Sequence, residues 1–205
     1  MLKKIILFFF FGFLALNNQA QNFGGGIILG INTSQVGGDD LGGFNKAGLL
    51  IGIFANKNIS EYLSFKMEMT YTQKGSNNPK MNDYSHPNYL RQDISLSYVE
   101  IPLVLQYHQS NKLNIETGIL TGYLMDGYYN DISGEMSNVT NPFVNYDIGV
   151  LIGMDYKYSN NLSLNTRLSN SILPIGAEDY DKQYNSLSKG KYNSVLSFTL
   201  HYNFS

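Results

Sequence analysis

Eight ionisable side chains stand at alternate positions opposite runs of apolar residues: Lys66, Glu68, Glu100, Glu116, Asp147, Asp155, Arg167 and His201. Glu100 joins the set if Val99, Ile101, Leu103, Leu105 and Tyr107 form the greasy face of their segment. Enclosed together, such groups support a small set of chemistries. The first is ion pairing. A lone carboxylate in a low dielectric is very costly, so Glu68, Glu100 and Glu116 need counter-charges, and Arg167 and Lys66 supply them. The expectation for Lys66, Glu68, Glu100, Glu116, Asp147, Asp155 and Arg167 is a structural charge network. A relay of protons or ions, or the gate of a narrow pore, is the alternative. Nucleophilic catalysis needs a Ser–His pair and an orienting acid. The chain contains three His, at 86, 108 and 201, and no G-x-S-x-G elbow, and no two His lie at metal-ligand spacing. No catalytic residue, metal ligand or cofactor is assigned, and His201 reads as a hydrogen-bonded filler. Asp39-Asp40, and Asp179 with Asp181, offer oxygens for Ca²⁺ but lack EF-hand spacing and read as solvated loop acids. Gly24-Gly25-Gly26 precedes no Lys-Ser/Thr, so it is not a phosphate loop; it reads as close strand packing. Tyr84, Tyr89, Tyr128, Tyr129, Tyr180 and Tyr184 give connecting segments the chemistry of either a binding surface or an ordinary interfacial girdle.

The segments that carry these groups have a period of two. Residues 63–71 read Leu-Ser-Phe-Lys-Met-Glu-Met-Thr-Tyr, apolar at odd positions. From Val144 to Tyr158 one face holds Val144, Tyr146, Ile148, Val150, Ile152, Met154, Tyr156 and Tyr158; Asp147 and Asp155 lie on the other. Leu196, Phe198, Leu200, Tyr202 and Phe204 alternate likewise with Ser197, Thr199, His201 and Asn203. Strict alternation predicts strands. Their length separates the two kinds of β protein. Ordinary strands average ~5–6 residues, whereas a tilted membrane-spanning strand needs ~9–11, and these segments reach that length. Eight are expected, at about 24–34, 44–56, 62–74, 92–107, 112–126, 142–158, 162–174 and 192–204. The second is apolar on both faces, so its phase is open. Within the fourth, Ile94 and Leu96 have the opposite parity to Val99 and Ile101. A bulge near Ser97–Val99 would reconcile the halves, and Pro102, lacking a ladder donor, would sit beside it. Short polar turns alternate with long connections rich in Asn, Ser, Asp, Gly and Tyr. In outer-membrane barrels the short turns are periplasmic, which puts both termini there. An even strand number closes the sheet without an edge.

The start of the chain reads as an export signal. Met1-Leu2-Lys3-Lys4 is basic, Ile5 to Leu16 is an unbroken apolar run, and Asn17-Asn18-Gln19-Ala20 is polar and ends small. That run rises about 18 Å as a helix, short of the ~30 Å needed to span a bilayer. Residues 1–20 are therefore expected to be removed, leaving 21–205 as one barrel domain. Charged residues make up 15% of the chain and the net charge is −2, so no basic field points to nucleic acid. The chain contains no Cys, which excludes disulfides, thiolate metal sites and Cys nucleophiles.

Tyr98-Val99-Glu100-Ile101-Pro102-Leu103-Val104-Leu105-Gln106-Tyr107 resembles the "YLEIPLLLKY" strand of the PorT-like proteins, small bacterial barrels of the outer-membrane β-barrel domain family. Gln73-Lys74-Gly75, Gly118-Ile119-Leu120-Thr121-Gly122-Tyr123-Leu124, Asp147-Ile148-Gly149 and Arg167 fit the same order. Val99 and Gln106 depart from it mildly. The resemblance implies an all-β fold, an eight-stranded antiparallel up-and-down transmembrane β-barrel, in the outer membrane of a two-membrane bacterium. Lipid and lipopolysaccharide would be its surroundings, and a protein of an envelope or secretion complex its partner. The function expected is non-enzymatic, structural or partner-binding. A narrow gated pore is the alternative, followed by a lipid-modifying enzyme.

Overall fold

A computed structural model describes residues 23–38, 43–77, 85, 93–131, 134–135, 143–176 and 190–204. Eight long strands carry the fold: β1 (Phe23–Gly37), β2 (Lys46–Asn58), β3 (Leu63–Ser76), β4 (Asp93–His108), β5 (Leu113–Asp131), β6 (Tyr146–Lys157), β7 (Leu162–Ser171) and β8 (Tyr192–Phe204). Each pairs antiparallel with its neighbour in sequence, and β1 pairs with β8 from Gly25↔Phe204 to Gly37↔Tyr192, which closes the barrel. The residue pair Gly134–Glu135 adds a short ladder to the end of β5. The eight expected segments match these strands closely. The sixth and seventh are trimmed at the long-connection end, where Phe143, Gly176 and Lys191 continue as isolated bridges.

The outward face answers the question of solvent. Ile31 is 63% exposed, Ile53 58% and Ile152 59%, and every strand adds further large apolar side chains to the same belt. A water-soluble monomer rarely shows a contiguous apolar patch above a few hundred Å². Aromatics bound the belt. Tyr107, Tyr156, Tyr158, Tyr202, Phe23 and Phe204 are exposed at the short-turn end. At the other end Tyr123 and Tyr146 meet edge to face, centroids 5.5 Å apart. Tyr146 and Tyr156 are ten residues apart on β6. That is roughly 33 Å along the strand, and about 25 Å along the normal at a tilt of ~40°, the height of an outer-membrane apolar band. β2 settles its phase with Ala47, Leu49, Ile51, Ile53 and Ala55 outward and Phe54 buried inside.

β4 holds one phase throughout, which corrects the expectation for its first half. Ile94, Leu96 and Tyr98 are buried and face inward with Glu100, Val104 and Gln106. The register does shift at Ser97/Tyr98, but the extra residue is Met125 of β5: Ser97 pairs with Asp126 and Tyr98 with Leu124. The sequence pattern changes because the lumen changes from polar to apolar toward the long connections. There Val36, Ile94, Leu96, Tyr98, Leu124, Phe143 and Ile175 form one buried cluster. Pro102 faces inward without moving the register; the β3–β4 ladder pairs Met67 with Leu103 and resumes at Thr70 with Glu100.

The three short turns are built alike. Ser60, Ser110 and Ser159 each accept, at Oγ, the N–H of the Leu three residues on, Leu63, Leu113 and Leu162, at 3.1, 3.1 and 3.2 Å. The carbonyl of that Leu accepts two backbone N–H groups in return. The Ser-x-x-Leu spacing is thus a turn signature, a hydroxyl standing in for a backbone acceptor.

Glycine serves two different needs. Gly26 permits contact: a Cβ there would lie 2.0 Å from the Tyr202 carbonyl and 2.7 Å from the Phe54 ring. Gly75 has φ +144°, and a Cβ would lie 2.1 Å from the Ile94 carbonyl. Its N–H donates to Ser34 Oγ at 2.9 Å. Gly75→Ala is expected to cost about 1–3 kcal/mol, from backbone strain and the contact together, read as a lower urea midpoint for unfolding from lipid vesicles. An unchanged midpoint would contradict this geometry.

Candidate functional site

Inward-facing polar residues come from every strand, because alternation commits each strand's second face to the lumen. They gather in two belts. In the belt nearer the short turns, Arg167 of β7 reaches across the barrel to Glu68 of β3. Its Nη1 and Nη2 donate to the two carboxylate oxygens at 2.6 and 2.7 Å, and Nε donates to Glu116 Oε2 of β5 at 2.7 Å. Glu116 has no exposed surface. It also accepts from Lys66 Nζ at 3.2 Å, Gln106 Nε2 at 2.6 Å and Asn165 Nδ2 at 2.8 Å. Bidentate guanidinium–carboxylate pairing of this kind is strong and geometrically specific. Lys66 Nζ also donates to His201 Nδ1 at 3.3 Å, so the ring hydrogen sits on Nε2, facing Thr199 Oγ1 at 3.0 Å. The Phe54 ring lies 5.3 Å from the same ammonium.

The second belt lies toward the long connections. Lys74 pairs with Glu100, and with Asp147 Oδ2 at 3.2 Å. Asp147 also accepts from Ser171 Oγ at 2.6 Å and Asn193 Nδ2 at 2.9 Å. The Tyr98 ring stands 5.1 Å from the Lys74 ammonium, joining this belt to the apolar cluster above it. Between the belts is a cavity of about 30 Å³ lined by Thr70, Pro102, Leu120 and Ser197, with room for about two waters.

The geometry therefore brings Glu68, Glu116, Lys66 and Arg167 into one contact group, and Glu100 and Asp147 into another. Asp155 makes no ion pair in either group and joins the first only through Asn165. It accepts from Asn114 Nδ2 at 3.1 Å and from Asn165 Nδ2 at 3.5 Å. Lys74, the hub of the second belt, was missing from the sequence-level set. Its signal was there: it shares the even parity of Lys66 and Glu68, but it falls where the third segment was expected to end. Asn165 and Asn193 were missed as well, since a neutral amide at a lumen position carries no charge pattern to mark it. Among the described residues no group of three His, Cys, Asp or Glu is placed to hold a metal ion. His86, Asp39, Asp40, Asp179 and Asp181 lie outside the described residues, as do Tyr84, Tyr89, Tyr180 and Tyr184 and the expected export signal. The backbone at Tyr128 and Tyr129 belongs to β5.

Residues 11–175 match the sequence model of a family described as "Outer membrane protein beta-barrel domain". Among solved structures, the chain is similar to Neisserial surface protein A, at 16% identity and a TM-score of 0.53, over 89% of this chain and 97% of that one. It is similar too to Ail, the attachment invasion locus protein of Yersinia pestis, solved with the heparin analogue sucrose octasulfate. There the identity is 11% and the TM-score 0.50, over 89% of this chain and 99% of that one. At such identities the likeness concerns the fold. No curated protein is significantly similar in sequence.

Proposed function

For this chain, which belongs to the outer membrane protein β-barrel domain family, we propose a non-conducting, non-enzymatic role, structural or partner-binding, within the outer membrane of a two-membrane bacterium. In this reading Lys66, Glu68, Glu100, Glu116, Asp147, Asp155 and Arg167 are structural: they hold the lumen shut, and the barrel works through its surfaces. One observation carries the reading. Arg167 spans the lumen from β7 to Glu68 on β3 while also holding Glu116, so the cross-section at that level is filled by paired side chains. The apolar cluster at the opposite end adds a second closure. A lipid-modifying site at the outer rim is disfavoured by the histidines described: His108 and His201 both stand toward the short-turn end.

The test is conductance. The full mature chain, refolded into planar bilayers at 1 M KCl, is expected to stay silent. Sustained single-channel steps would instead favour the narrow pore, with the Arg167 belt as its gate. The partner-binding version, including a place in a secretion complex of the PorT kind, is tested by extraction from the native membrane in mild detergent. A stoichiometric co-purifying protein is expected; without one a free-standing barrel remains. Removal of residues 1–20 belongs to the same proposal and is checked by N-terminal sequencing of the extracted protein, expected to begin at Gln21.

A further inference from the structure

Below the Arg167 belt the lumen is hollow. The barrel opens at its short-turn end into a vestibule of about 590 Å³, within the size range of small-molecule pockets. Its lining is unlike an ordinary apolar pocket. Asparagines, Gln106 and serines dominate, with Phe54 beside them. Three lysines, 66, 112 and 157, face one acid, Asp155. Lys66 is held by Glu116. Lys112 and Lys157 are exposed, and the Lys157 N–H donates to the Lys112 carbonyl at 2.8 Å, which sets the two stems side by side at the mouth.

His108 is held at the vestibule by a chain of hydrogen bonds. Asn114 Nδ2 donates to Asp155, so Asn114 Oδ1 is an acceptor, and His108 Nδ1 lies 2.8 Å from it. The ring hydrogen is thereby fixed on Nδ1, leaving Nε2 as an acceptor for a ligand hydroxyl. Two lysines joined across the ladder, with Asp155 the one acid lining the cavity, leave the mouth short of negative charge. Side-chain amides and hydroxyls, each both donor and acceptor, match the hydroxyls of a polyol.

We infer that this vestibule is a binding site for a small hydroxyl-rich anion, a sugar bearing a phosphate or a carboxylate, entering from the periplasm. The anionic group sits at Lys112 and Lys157, and His108 Nε2 accepts a hydroxyl of the sugar. The sugar hydroxyls meet the amides below, and the Lys66–Glu116 pair forms the floor. The ligand enters and leaves by the same mouth, so the site is independent of whether the lumen conducts.

Calorimetric titration of the mature chain in lipid nanodiscs tests this with glucose 6-phosphate, glucuronate, glucose and inorganic phosphate. At least one of the two sugar anions is expected to bind about tenfold or more tightly than glucose or phosphate, and the preferred one identifies the anionic group. Raising ionic strength weakens the binding. The K112A/K157A variant is expected to lose about tenfold in affinity, while Lys46→Ala, at the opposite end of the barrel, leaves it within about twofold. Both lysines are exposed at turns, so insertion should survive; K157Q alone, with a loss of about threefold, serves if it does not. Glucose binding as tightly as the anions, phosphate binding as tightly as the sugar phosphate, no saturable binding, or an unaffected lysine variant would each overturn the inference.

Discussion

Arg167→Met is expected to destabilise the barrel by about 3–5 kcal/mol, the usual cost of removing one partner from a buried ion pair. The substitution keeps most of the volume of the stem and deletes the guanidinium. Glu68 loses both of its bonds to that group, and Glu116 keeps Lys66, Gln106 and Asn165. The damage is therefore one uncompensated carboxylate. The double variant Glu68→Gln with Arg167→Met removes both charges of the cross-lumen clasp and should recover most of the loss, because a matched pair replaced by neutral groups is often nearly neutral. Urea unfolding from lipid vesicles, followed by the gel-mobility difference between folded and unfolded forms, measures all three. A single variant within about 1 kcal/mol of the parent, or a double variant worse than the single, would show that the clasp does not form.

Ile152→Arg is expected to cost about 2–4 kcal/mol, as for a cation at the bilayer midplane on the lipid face of a barrel. Ile152 lies midway along β6, 59% exposed. Its companion Ile152→Phe makes the test specific. Lipid tails accommodate a larger apolar side chain, so Phe should cost less than about 1 kcal/mol, whereas overpacking a protein interior costs ~1–3. Met67→Arg on β3 should behave as Ile152→Arg does. Equal penalties for Phe and Arg would mean that this face packs against protein.

The strands were legible because a barrel strand in a bilayer obeys two strong local constraints at once. Its outward residues must suit lipid, and its length must reach across; 63–71 and 144–158 display both. Lumen residues were legible as a set for the same reason, since parity decides which way each side chain points before any partner is known. Parity misleads where the surroundings inside the barrel change from polar to apolar. Ile94 and Leu96 looked outward because apolar residues on a barrel strand ordinarily face lipid; here they face an apolar plug assembled with four other stretches of chain. Lys74 is missed for a related reason: its even parity points inward only if the strand runs on past residue 74, and nothing local shows that it does.

Membership of a lumen face, strand count and place of residence in the cell follow from alternation, segment length and the short polar turns, all of them properties of neighbouring residues. Pairing is another matter. That Arg167 clasps Glu68 from β7 to β3, that Lys74 rather than Lys66 serves Glu100 and Asp147, and that Asp155 is left beside an open vestibule depend on tilt, on shear and on the one-residue slip at Met125. Those set the height at which each inward side chain meets the others, and height inside a closed barrel is a relation among eight strands that no single strand encodes.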